Sequence, residues 1–168
     1  MKITNFSIVC LFTLSLSLGH GDLSLDQAKT GAEKGDAEAE FVLGKAYYTG
    51  KGMPRDYAKA LDLYQKSANQ GNAKAQNNLA TMYRKGQGTK KDPAMAAQWY
   101  RKAAEQGANL AEYNLATMLA AGEGVPQDDH EAFTWFQKAA SQNFAPAQAK
   151  VGEAYLKKKG VPADPKQA

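Results

Sequence analysis

Cysteine is almost missing from this 168-residue sequence: Cys10 is the only one, and it falls in the apolar stretch from Ile8 to Leu18. Beyond that stretch there is no thiol for a disulfide, a nucleophile or a cysteine zinc site. Histidine is nearly as scarce, with His20 and His130 alone. A metal centre needs three or four convergent donors, and two isolated histidines give no ligand spacing, so neither a metal nor a cofactor is expected. Neither sign of charge dominates, since 21 Lys and Arg face 17 Asp and Glu. The one basic run, Lys157-Lys158-Lys159, reads as a solvated helix end. Without a concentrated cationic face, a nucleic-acid partner is not expected. The apolar stretch is also shorter than the roughly 20 residues that a bilayer-spanning helix needs.

That stretch follows Lys2 and leads into the small residues Ser17, Gly19 and Gly21, the pattern of a secretory signal peptide. Residues 1–21 are assigned to it, with cleavage after Gly19 or Gly21. The mature chain is expected to be exported, to the periplasm or the medium, with no membrane span.

What the sequence has in abundance is periodicity. Shifted by 36 positions, the chain superimposes on itself from Gly35 onward without a gap. Recurring sets include Gly35/Gly71/Gly107, Ala39/Ala75/Ala111, Leu43/Leu79/Leu115, Gly52/Gly88/Gly124 and Asp56/Asp92/Asp128. The expected units are residues 35–70, 71–106 and 107–142, with a partial fourth over 143–168, preceded by an N-terminal covering helix in 22–34.

Each unit contains two helical patterns. Ala39, Leu43, Ala46 and Tyr47 form the apolar stripe of the first, and Ala60, Leu63, Tyr64 and Ala68 that of the second. Between them a Gly-x-Gly turn leads to an aspartate suited to cap the second helix, which stops at Gln-Gly. A single pair leaves its stripe uncovered, whereas stacked pairs cover one another. The fold predicted is an all-α, right-handed α-solenoid of antiparallel helix pairs.

The order of Ala37, Ala39, Leu43, Gly44, Tyr47, Gly50 and Gly52, followed in the next unit by Trp99, Tyr100, Lys102, Ala103, Ala104, Gln106 and Gly107, resembles the Sel-one-like repeat (SLR) family, a branch of the tetratricopeptide superfamily. Leu119 and Lys158 depart from the pattern, standing where a Tyr and a turn Gly are usual. The resemblance implies a non-catalytic scaffold that binds proteins or peptides.

Catalytic motifs do not hold together. His130 lies beside Asp128, Asp129 and Glu131 and reads as a first-turn residue among helix-start acids, with Glu131 expected to close a capping box. Gly44 to Gly52 imitates a phosphate loop but has one residue too many and no preceding strand. Lys29-Thr30-Gly31 copies a penicillin-recognising triplet, and some cysteine-rich SLR relatives are described as β-lactam binding or hydrolysing, so a β-lactam-directed hydrolase is the alternative function. No Ser-x-x-Lys supplies its nucleophile.

In the superfamily that the chain resembles, first helices line the concave surface. The stripe opposite the core then carries Glu38, Phe41, Lys45 and Tyr48 in the first unit, Lys74, Asn77, Thr81 and Arg84 in the second, and Leu110, Tyr113 and Thr117 in the third. Aromatic platforms and cations there suit an extended peptide with carboxylates. Replacing Tyr48 and Arg84 is expected to weaken capture without altering stability. At the other end, the stub after Asp164 is too short to nucleate a second helix, so residues 161–168 are expected to fray and leave Val151 and Tyr155 partly open for self-association.

Overall fold

The structure, a computed structural model, describes residues 23–161. The signal-peptide assignment and the stub beyond Val161 lie outside them. The described residues form eight helices and no strand: α1 (Leu25–Glu33), α2 (Ala37–Thr49), α3 (Tyr57–Asn69), α4 (Ala73–Lys85), α5 (Pro93–Glu105), α6 (Asn109–Ala121), α7 (Asp129–Ser141) and α8 (Ala145–Lys157). Extensive packing joins each helix to the next in sequence. The chain is an all-α solenoid of helix pairs.

Local chemistry sets the ends of these helices. Asp56, Asp92 and Asp128 accept from the amides of Lys59, Met95 and Glu131 at 3.0, 2.9 and 2.8 Å, satisfying donors that the first turn leaves free. Asp36 and Asn72 do the same for α2 and α4, but Ala108 and Phe144 at the corresponding positions give α6 and α8 no side-chain cap. Ser24 and Gln27 close a capping box at the start of α1. Glu131 does not complete the box expected of it. Its carboxylate accepts instead from Arg101 at 2.6 Å and from the Trp135 indole at 3.1 Å, because an arginine on the preceding second helix outcompetes a backbone amide.

The core follows the apolar stripes. Tyr64 and Tyr100 are fully enclosed, and Leu79, Leu115, Met82 and Met118 are wholly buried beside them. Each such side chain stabilises the fold by about 2–3 kcal/mol on burial. A Cβ at Gly44 would stand 2.9 Å from the Tyr64 ring, which is how a small residue on α2 admits a large one from α3. The second glycine of each turn serves a different approach. Gly124 has φ 71° and lies directly on the backbone of Pro93, at the start of the preceding unit's second helix, while Gly88 and Gly160 lie likewise on Tyr57 and Asp129.

A buried polar ladder accompanies the apolar core. Gln70 donates to Glu40 at 2.8 Å, Gln106 to Gln76 at 2.7 Å and Gln142 to Glu112 at 2.9 Å, so the residue ending each second helix reaches into the first helix of its own pair. Glu40, Gln76 and Glu112 are buried, and burial pushes the two carboxyls above the ordinary range.

At the C-terminal end, Tyr155 is half-buried, with its ring set edge-on to Phe133 at 5.4 Å between centroids. Val151 is half-buried too. The most open apolar side chain there is Leu156, 88% exposed, beside Gly152 with open space over it.

Candidate functional site

The first helices α2, α4 and α6 lie side by side, and between them runs a groove of about 500 Å³. It brings together five positions of the expected stripe: Phe41 and Lys45 from α2, Lys74 and Asn77 from α4, and Leu110 from α6. Lys45 and Lys74 are exposed, and Leu110 is 46% exposed. Phe41 and Asn77 are not open as the stripe reading expects. Phe41 is 9% exposed because its ring packs 6.0 Å from Tyr64, and Asn77 is 7% exposed because it is held between two other asparagines. They form the groove's floor and its lysines form the rim.

The floor is a chain of amides. Asn114 donates to Asn77 at 3.1 Å, Asn77 to Asn78 at 3.3 Å, and Asn78 to the Tyr64 hydroxyl at 3.2 Å. Burial pushes the Tyr64 phenol up to about 12, so it stays a neutral acceptor. Glu38 sits at the rim, 3.6 Å from Lys74, and also accepts from Asn72 at 2.9 Å. Lys74 is held 5.8 Å from the Phe41 ring centre. One side of the groove therefore offers cations and amide groups, and Leu110 offers an apolar contact.

The remaining stripe positions do not line this groove. Thr81 and Arg84 border a separate recess of about 400 Å³ with Tyr100, Asn114 and Glu123. Thr81 lies 2.9 Å from the Tyr100 hydroxyl, and burial raises the Tyr100 phenol. Arg84 is no free cation: Nε and Nη2 donate to Glu123 at 2.9 and 2.6 Å, and the guanidinium holds that carboxyl below its usual range. Tyr48 packs its ring, tilted, against Tyr57 and Tyr64 at 5.4 and 6.3 Å and donates to Gln87 at 3.0 Å. Tyr113 packs between Phe136 and Phe144 at 5.5 and 5.6 Å, and Thr117 donates back to the Tyr113 carbonyl at 2.8 Å.

Sequence reasoning missed the partners Gln87 and Glu123. Each is the middle residue of a Gly-x-Gly turn, and each reaches back 39 positions to the first helix of the preceding unit. Their recurrence at a 36-residue interval is a visible signal, but turn residues of this kind carry no apolar periodicity to mark them.

Residues cited for other chemistry occupy ordinary structural places. Thr30 lies within α1 and donates to the Asp26 carbonyl at 3.0 Å. His130 is exposed in the first turn of α7. Among the described residues no group of three or more His, Cys, Asp or Glu is gathered as metal ligands, and no helix is long and apolar enough to cross a membrane.

Comparison with known proteins accords with this architecture. A family model described as Sel1 repeat matches residues 37–72, 73–107, 109–144 and 145–168. No curated protein matches the chain. Among solved structures, a protective antigen present in uropathogenic Escherichia coli strains and displaying an SLR fold is 37% identical, with a TM-score of 0.80 over 84% of this chain and 30% of its own. A Sel1 repeat protein from Oxalobacter formigenes is 34% identical, with a TM-score of 0.77 over 83% of this chain and 56% of that one. Helicobacter pylori cysteine rich protein B shares the fold at 20% identity, with a TM-score of 0.57 over 76% of this chain and 96% of its own. The chain thus spans less than two thirds of the first two of these proteins.

Proposed function

The chain belongs to the Sel1 repeat family, and from that premise we propose that it is an exported, non-catalytic scaffold that captures an extended protein segment along the groove of α2, α4 and α6. The observation that carries this reading is the groove itself, where Lys45 and Lys74 flank a floor of Phe41 and Asn77 and face Leu110. Ammonium groups take carboxylates, side-chain amides pair with a peptide backbone, and Leu110 takes an apolar side chain.

The test is capture by crosslinking in the native cell, with wild type compared to Lys45→Glu with Lys74→Glu and to Leu110→Ser. These three side chains are exposed, so the melting temperature stays near wild type while capture falls. Undiminished capture by both variants would defeat the groove. For export, the mature protein begins near His20 or Asp22, and exported material that retains Met1 would refute it. Absence of nitrocefin turnover by the purified mature protein is expected of a scaffold, whereas turnover would favour the hydrolase.

The C-terminal end is proposed to support self-association through Leu156, supported by its exposure next to the open backbone of Gly152. Light scattering of Leu156→Lys against wild type tests it: a concentration-dependent increase in mass confined to wild type is expected, and identical masses would rule it out.

A further inference from the structure

The three junctions between consecutive units use the same positions for different chemistry. At the first, Tyr48 on α2 meets Gln87 in the next unit's turn at 3.0 Å. At the second, Arg84 on α4 meets Glu123 at 2.6 Å. The corresponding residues at the third are Ala120 on α6 and Lys159. Alanine cannot reach across, and Lys159 turns to Asp129 at 3.1 Å. A second change lies deeper: where the first two junctions have Met82 and Met118, completely buried, the third has Ala154.

This junction carries a recess of about 180 Å³ bordered by Ala120, Phe133, Phe136 and Ala154, where the wider recess at the second junction is bordered by Arg84, Tyr100 and Glu123. A cavity of about 150 Å³ with apolar walls is enough to take a benzene ring. The charged groups on its rim are also placed differently. Lysines 150 and 159 stand where the second junction has Asn114 and Glu123, and Lys157 stands in place of Ala121. Lys150 and Lys157 are held by Glu153 at 2.9 and 2.6 Å, so the three ammonium groups are positioned by two carboxylates and leave an excess of positive charge. Each ammonium has three donors, of which the ion pair uses one.

We infer that the third junction is a binding site for a carboxylate bearing an apolar, ring-sized group, with the ring in the cavity and the carboxylate on the lysine rim. This site does not depend on the groove of α2, α4 and α6. Its ligand chemistry is met by the C-terminal residue of a peptide or by a free aromatic acid.

Titration of the mature protein with N-acetylphenylalanine, followed by calorimetry and by amide shifts around Ala120 and Phe133, tests it. Binding is expected, and is expected to weaken about tenfold or more for N-acetylphenylalaninamide and for N-acetylglycine. Two variants put larger side chains into the recess by separate means, and the second also removes a lysine from its rim. Ala154→Met restores the residue of the other junctions, and Ala120→Arg with Lys159→Glu rebuilds the neighbouring ion pair. Either, once its helical circular dichroism matches wild type, should lose about tenfold or more in affinity. Gly-Gly-Phe binding more tightly than N-acetylphenylalanine identifies a peptide terminus as the source, and equal affinity identifies a small acid. No binding by wild type at millimolar ligand, equal affinity for acid and amide, or full affinity in either folded variant would overturn the site.

Discussion

Gln142 donates its side-chain amide to the buried carboxylate of Glu112 at 2.9 Å, while at the same place one unit earlier Gln106 donates to a neutral glutamine, Gln76. The two pairs differ in one respect that can be measured. Gln76 also donates to the Ala68 carbonyl at 3.1 Å, a bond that an ionised carboxylate has no hydrogen to make.

Glu112→Gln is therefore expected to stabilise the chain at neutral pH by about 1 kcal/mol, the scale of one net hydrogen bond. Burial raises this carboxyl above its ordinary 4.5, so the folded chain holds the proton more tightly than the unfolded one. Its contribution is full below 4.5 and is lost as pH rises through the raised value. The advantage of the variant should vanish in urea melts below that range. An equal advantage at all pH values would show that desolvation is not its source.

The arginine pair has the opposite pH sign. Glu123 is held below its ordinary value by hydrogen bonds from Arg84, so the pair's contribution is present above 4.5 and lost as pH falls through the lowered value. Partial exposure limits it to under about 1 kcal/mol. Arg84→Ala should shift the urea midpoint at neutral pH and not at pH values where Glu123 is protonated.

Tyr48→Ala is expected to cost about 2 kcal/mol, against the reading that puts Tyr48 on an open stripe. Its ring packs on Tyr57 and Tyr64 and its hydroxyl holds Gln87, so truncation removes packing as well as a junction bond. Tyr48→Phe retains the packing and should cost about 1 kcal/mol. Equal losses for the two variants would place the energy in the hydroxyl alone.

Two glycines with nearly the same backbone separate strain from crowding. Gly107 has φ 79° and nothing within 4 Å of an added Cβ, and Gly124 has φ 71° with the Pro93 backbone in the way. Gly107→Ala should destabilise by about 1 kcal/mol and Gly124→Ala by about 3 kcal/mol, since the second must also push one unit off the next. Comparable melting shifts would mean that the turn relaxes freely.

The fold was legible because repetition multiplies weak signals. Asp56, Asp92 and Asp128 at one spacing identify a cap that a lone aspartate would not, and Gly35, Gly71 and Gly107, with Asn143 in the same role, take up the left-handed backbone their position demands. The groove was legible only in part. Helical spacing places Phe41, Lys45, Lys74, Asn77 and Leu110 on one side of their helices, but it carries no information about depth, so Phe41 and Asn77 appear equivalent to Lys45 although they are buried. Nor does spacing within a helix reveal what reaches it from another unit, which is why Arg84 reads as a free cation until Glu123 is seen beside it.

Since each helix packs chiefly on its sequence neighbours, a load applied to the two ends passes through the helix pairs in series. Among the described residues, helices that are not neighbours in sequence share no extensive packing. Under tension the pairs should peel apart one after another, each 36-residue unit lengthening the chain by roughly 100 Å as it unravels. The junctions differ in how they are tied: at the second, two nitrogens of Arg84 hold Glu123, and at the third Ala120 makes no such bond while Lys159 pairs with Asp129 and Tyr155 packs on Phe133. Stretching would thus proceed in steps and make the molecule a ratcheted spring, with one catch at each junction.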